Sequence, residues 1–172
     1  MGDGARLMTR EQFWKLVDQV KGTEEPGAAM NKLLRKVTPQ ELVSYQEHFD
    51  TLAREAYRWD LWGAAYIIGG GCSDDGFIDF RYGLIARGKD VFESALKNPD
   101  SLADLKIRAE IPNELFGYVA QELYEELTDE DEVPRLPPPK NRPKPVGEQW
   151  DFDDAKQNAN RLPKLWAKYG VK

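Results

Sequence analysis

Few side chains in this sequence could do chemistry. It holds one cysteine, Cys72, one histidine, His48, and a pair of carboxylates, Asp74-Asp75, just past Gly69-Gly70-Gly71. Cys72 stands between the glycine run and a helix start, where a thiolate would be stabilised. A cysteine nucleophile also wants a base, and only His48 is on offer. The competing reading is a small buried residue at a tight turn. His48 and Asp50 are two apart on a helix and do not face each other, so His48 reads as a structural hydrogen-bonding residue. The segment Asp74-Asp75-Gly76-Phe77-Ile78 has the glycine and isoleucine of a calcium loop. In that register Gly71 and Tyr82 stand at loop positions 1 and 12, which need acids. One Cys and one His are too few for zinc. We expect neither metal nor cofactor.

Aromatic and charged residues concentrate in YRWDLWGAAYIIGGGCSDDGFIDFRYGLIARG, Tyr57 to Gly88. The ligand-binding candidates are Arg58, Trp59, Asp60, Trp62, Asp74, Asp75 and Arg81. Apolar walls with a few converging charges describe a ligand site, and they equally describe a core with a buried ion-pair network. The glycine turn could show N–H groups to an anion, but Asp74 and Asp75 would repel it. A small molecule or peptide with a positive group is the more natural guest. Arg81 projects onto the apolar face of its helix, where a guanidinium needs a carboxylate. Asp60, Asp50 and Asp74 are the candidates.

Helices must position these groups. Thr9 with Gln12, and Thr38-Pro39-Gln40-Glu41, are capping boxes. They predict one helix carrying Phe13, Leu16, Val17 and Val20, and another that starts with Pro39 at its first position and runs on through Leu42 to Ala56. A short helix with Met30, Leu33 and Leu34 inward is predicted between them, over 28–36. Asp60 to Ile68 is apolar all round and therefore a buried central helix, which the triple glycine ends. Ser73 restarts the chain, with Phe77, Ile78, Phe80, Leu84 and Ile85 on one face and Asp79, Gly83 and Ala86 on the other. Shorter helices are expected over 90–96, in a turn over 101–105, and over 112–127. No alternating β-branched run predicts a strand.

The fold class is therefore all-α. A flexible leader (1–8) precedes one helical domain (9–133) of about seven or eight helices. A proline-rich spacer (134–147) and a helical tail (148–172) that docks back on the domain complete the chain. Met8 is an alternative start. The spacer cannot be helix and reads as a stiff polyproline rod, so Pro134 to Pro145 is a candidate ligand for a protein partner. The formal net charge of −6 argues against nucleic acid. No apolar stretch would span or enter a membrane. A lone cysteine fits a reducing compartment, and the expected location is cytoplasmic.

Tyr57-Arg58-Trp59-Asp60-Leu61-Trp62-Gly63-Ala64-Ala65 and Gly70-Gly71-Cys72-Ser73-Asp74-Asp75-Gly76-Phe77 resemble the bacterial domain-of-unknown-function family DUF4240, common in actinobacteria. Met8-Thr9-Arg10-Glu11-Gln12-Phe13-Trp14 and Asn98-Pro99-Asp100-Ser101-Leu102 extend the similarity over roughly 8–127. The resemblance implies a bacterial cytoplasmic setting and no reaction, cofactor or partner. With no complete catalytic constellation in view, the expected function is a non-catalytic binding or regulatory module with an aromatic and acidic pocket. The alternative is a small enzyme using Asp60 or Asp74 as acid or base, assisted by His48.

Overall fold

Local capping by Thr9, Thr38 and Ser73 fixes where three of the helices begin. The computed structural model describes residues 7–106, 111–135 and 144–170. In α1 (Arg10–Val20) the Thr9 hydroxyl accepts from Gln12 N–H, and the Gln12 side chain returns to Thr9 N–H at 2.8 Å. After α2 (Pro26–Leu34), α3 (Pro39–Glu55) repeats the capping box with Thr38 and Glu41. Helix α4 (Trp59–Gly69) stops at Gly70, whose φ of 70° is left-handed and suits glycine. Ser73 then caps α5 (Asp74–Ala86) by accepting from Gly76 N–H at 3.1 Å. These starts and stops are the ones the sequence predicts, save that Pro26 takes the first position of α2 and starts it two residues early.

The core is one helical cluster. Helix α3 packs on α5 and on α7 (Val119–Thr128), while α6 (Lys89–Lys97) leads into a 3-10 helix, Pro99–Asp104. Leu61, Gly63, Ala64, Ala65, Ile67 and Ile68 of α4 are all buried, as an all-apolar helix requires. The described residues form nine α-helices and two short 3-10 helices, with no strands. The architecture is all-α, with the tail docked on the body.

The tail is held by side chains that meet it from far along the chain. Its two helices are α8 (Ala155–Arg161) and α9 (Pro163–Tyr169). Asp100, buried in the 3-10 helix, accepts from Lys164 N–H at 3.0 Å and Leu165 N–H at 2.9 Å. It thereby satisfies the first-turn donors of α9, the task usually given to a local cap. The Trp150 indole lies against Gly63 of α4, where a Cβ would come within 2.3 Å of it. Its N–H donates to Asn158 Oδ1 at 2.8 Å, and the Asn158 amide donates to Phe152 O at 2.8 Å.

Four expectations need correction. The helix expected over 112–127 is broken: Asn113 Oδ1 accepts from Phe116 N–H and starts a 3-10 turn, Leu115–Gly117, before α7 begins. Gly117 lies against the ring of Tyr82, and Leu115 is left 74% exposed. Gly83 and Ala86, expected on the outer face of α5, are buried, because the segment at Ile111–Asn113 lies directly over Gly83. Met8, placed in the leader, is buried, and its N–H donates to Ser44 Oγ at 2.9 Å. Residues 1–6, most of the leader, and 136–143, the middle of the spacer, lie outside the described residues. The described ends of the spacer are tied down. Val133 and Pro145 are buried, and Arg135 forks onto Asp50.

Candidate functional site

A pocket of about 590 Å³ opens where α3, α4 and α5 meet the start of the tail. Tyr57, Trp59 and Trp62 give it aromatic walls. Trp59 and Trp62, three apart on α4 and so on one face, stack at 5.3 Å with 12° between their planes. Trp62 stacks in turn on Phe77 of α5 at 4.8 Å and 13°. Its indole N–H donates to Cys72 O at 3.0 Å, which fixes the ring. From α5 come Asp74, Ile78 and Arg81, spaced four and three residues apart, the spacing of a single helix stripe.

The opposite wall is built by the end of the spacer and the start of the tail. Trp59 N–H donates to Val146 O at 3.0 Å and Val146 N–H donates to Tyr57 O at 2.9 Å, a single parallel β-bridge. This bridge carries Lys144, Pro145 and Gln149 onto the pocket. Phe152 packs on Trp59 at 6.3 Å and on Tyr66 at 5.4 Å, and the Tyr66 hydroxyl donates to Asp153 at 2.5 Å.

Of the seven candidate residues, Trp59, Trp62, Asp74 and Arg81 line this pocket. Arg58 and Asp60 do not. They pair with each other, with Arg58 Nε donating to Asp60 Oδ1 at 3.1 Å, and Asp60 also accepts Leu61 N–H at 2.8 Å. Asp75 is one residue, about 100°, further round α5 than Asp74. It lies on the side of Asp79, whose carboxyl is pushed up by partial burial and by the charges of Glu114 and Asp75. The expected acidic rim therefore reduces to Asp74. Sequence reading missed Arg54, Ile78, Lys144, Pro145 and Gln149 as lining residues. Ile78 could have been found from its place between Asp74 and Arg81 on one stripe, whereas nothing local marks Lys144 or Gln149.

Arg81 overturns the ion-pair expectation. Among the described residues no carboxylate lies within ion-pair distance of it. Asp60 is taken by Arg58 and Asp50 by Arg135. Arg81 instead donates to two backbone carbonyls, Phe77 O at 3.3 Å and Ala53 O at 2.8 Å. Ala53 is in the last turn of α3, where carbonyls lack helical partners and the dipole favours a cation. The guanidinium also lies over Tyr57 at 4.8 Å and Phe77 at 5.1 Å. Burial lowers its pKa, partly offset by Tyr82 and Tyr57, yet an arginine stays charged.

The catalytic candidates do not converge. A ring nitrogen of His48 lies 2.8 Å from Met8 O and the ring packs on Phe13, so the histidine fastens the N-terminal segment to α3. Cys72 is half-buried, and its thiol is pushed up to about 11, first by burial and then by Asp74 and Asp79. Burial first, and then these carboxylates, outweigh the helix-start effect expected of it. A raised thiol pKa means less thiolate at neutral pH, so iodoacetamide should alkylate Cys72 roughly a hundredfold more slowly than a small free thiol. The rate should keep rising with pH past the ordinary range. A plateau beginning near the ordinary value of about 8.5 would show that burial does not govern this thiol. No group of three or more metal-ligating side chains occurs among the described residues. Nor is any helix among them long and apolar enough to cross a membrane.

These features define an all-α protein with an aromatic, charge-lined pocket closed on one side by its own tail. The chain belongs to the DUF4240 family, described as a protein of unknown function, which it matches over residues 8–126. No curated protein and no solved structure matches it. The pocket residues on α3, α4 and α5 fall inside the matched span, while Lys144, Pro145 and Gln149 fall outside it.

Proposed function

We propose that this protein is a non-catalytic binding or regulatory module, working in the bacterial cytoplasm, whose ligand sits in the pocket between α3, α4, α5 and the tail. The carrying observation is the stacked Trp59–Trp62 wall beside a pocket of about 590 Å³, a size that suits a small organic molecule. Aromatic side chains lining a pocket beside charged groups favour a ligand with an apolar body and polar ends. Asp74 offers one such end a carboxylate, and a positive group on a small molecule or short peptide is the partner it fits. The carboxylate enzyme finds less support, since His48 is committed to Met8 and Asp60 to Arg58.

The test is thermal unfolding of the full chain, with and without a panel of small metabolites and short peptides. A ligand at a hundred times its Kd adds about 2.7 kcal/mol, which for a chain of this length raises Tm by roughly 5–10 °C. The same compound should change tryptophan fluorescence, because two of the indoles form the wall. A panel in which nothing moves Tm or fluorescence would remove the small-ligand reading.

A further inference from the structure

We propose that the pocket also selects a carboxylate or phosphate group, held by Arg81 with Lys144, so that its ligand carries an anion beside its apolar body. This rests on the reading of the pocket as the ligand site. It also changes what that ligand must be, because the sequence points only to a positive group.

Arg81 is one half of an incomplete ion pair. A guanidinium removed from water is costly unless it is paired, and Arg81 is half-buried with no carboxylate partner among the described residues. The carbonyls of Ala53 and Phe77 compensate it with dipoles, not with a full charge. Two of its N–H donors are used in this way; a guanidinium has five, arranged as a fork that matches two oxygens of one anion. Arg81 is one of the residues that line the pocket.

Asp74 does not supply the missing charge. It stands seven residues before Arg81 on the same stripe of α5, about 10 Å away along the axis. Ile78 lies between them. The two charges are thus far enough apart to hold opposite ends of one ligand. Lys144 adds a second cation from the tail wall, exposed and without a close acid among the described residues. The aromatic wall of Tyr57, Trp59 and Trp62 borders the space between the two charges and suits the apolar part. A dipolar molecule with an aromatic or alkyl body, anionic at one end, meets each of these groups. An amino-acid derivative or a short peptide is of that class.

The experiment compares isosteres on the full chain by calorimetric titration, so that shape is constant and charge is not. The probes are 3-phenylpropionate, 3-phenylpropanol and 3-phenylpropylamine, with phenyl phosphate and its neutral dimethyl ester as a second anion–neutral pair. We expect at least one anion to bind about tenfold or more tightly than its neutral partner, the effect of one charge-assisted hydrogen bond. Which anion wins tells carboxylate from phosphate. The advantage should shrink as salt is raised and vanish in Arg81→Met. Should that variant not fold, Lys144→Met, on an exposed side chain, should still reduce the preference by about threefold. Anions that bind no better than their neutral partners, while the neutral or amine probes do bind, overturn the anion site and leave the pocket standing. If no probe of any charge binds, both fall.

Discussion

Gly83→Ala should destabilise the protein by about 3 kcal/mol or more, although alanine is the better helix former. In the middle of α5 the exchange gains about 0.5–1 kcal/mol of backbone entropy and propensity. Against that, a Cβ on Gly83 would sit 1.2 Å from the carbonyl oxygen of Ile111 and 3.0 Å from Asn113 N. That neighbour is backbone, and it cannot rotate away as a side-chain tip would. Moving it breaks the bond from Asn113 N–H to Asp79 O at 2.9 Å and lifts Ile111, 1% exposed, out of the core. Overpacking against a fixed neighbour costs about 1–3 kcal/mol, and an opened apolar contact and a lost hydrogen bond add to it. Tm should fall by roughly 6–12 °C for a chain of this length. Thermal denaturation followed by circular dichroism measures it. A Tm equal to or above the parent's would mean that Ile111–Asn113 does not lie across α5 at this point.

The contrast between Gly83 and the capping residues shows where sequence reading reaches its limit. Thr9, Thr38 and Ser73 act on N–H groups three residues away, so helix starts were legible from residue types at fixed spacing. Gly70 was legible for the same reason. The burial of Gly83 depends on a backbone carbonyl 28 residues further on, and a carbonyl has no residue type to be read. Arg81 failed in the same manner. A buried guanidinium calls for a carboxylate by residue type, whereas helix-end and in-helix carbonyls meet it.

The candidate site divides along the same line. Trp59, Trp62, Asp74 and Arg81 stand on two consecutive helices joined by a short glycine turn, and helical spacing puts Trp59 with Trp62 on one stripe and Asp74 with Arg81 on another. The far wall is different. Lys144 and Gln149 reach the pocket through a main-chain bridge between Arg58 and Val146, which any pair of residues could make. The docking of the tail was legible from its large apolar residues, Trp150, Leu162 and Leu165 among them, and all three are buried. Where it docks was not, because the receiving surface is marked by a missing side chain, Gly63.

That missing side chain leads to the second large effect. Gly63→Ala should loosen the tail while the helical body stays folded. The added Cβ would lie 2.3 and 2.4 Å from two ring carbons of Trp150 and 3.2 Å from Phe152. Trp150 has no easy retreat: its N–H is bonded to Asn158 and its ring lies under the Arg161 guanidinium at 4.8 Å. The whole loop must move, and Phe152, which packs on Trp59, moves with it. We expect a loss of about 2 kcal/mol, the overpacking cost exceeding the helix-propensity gain. Trp150 should become more exposed, with red-shifted fluorescence and faster proteolysis on the tail side of the chain, and ligand affinity should fall because one pocket wall shifts. Gly69→Ala is the internal control. It lies in the same helix with nothing within 4 Å of its Cβ, so only the propensity term applies and its Tm should hold or rise. If Gly63→Ala behaves like Gly69→Ala in both Tm and fluorescence, the tail does not rest on α4 through Trp150, and the far wall of the pocket belongs elsewhere.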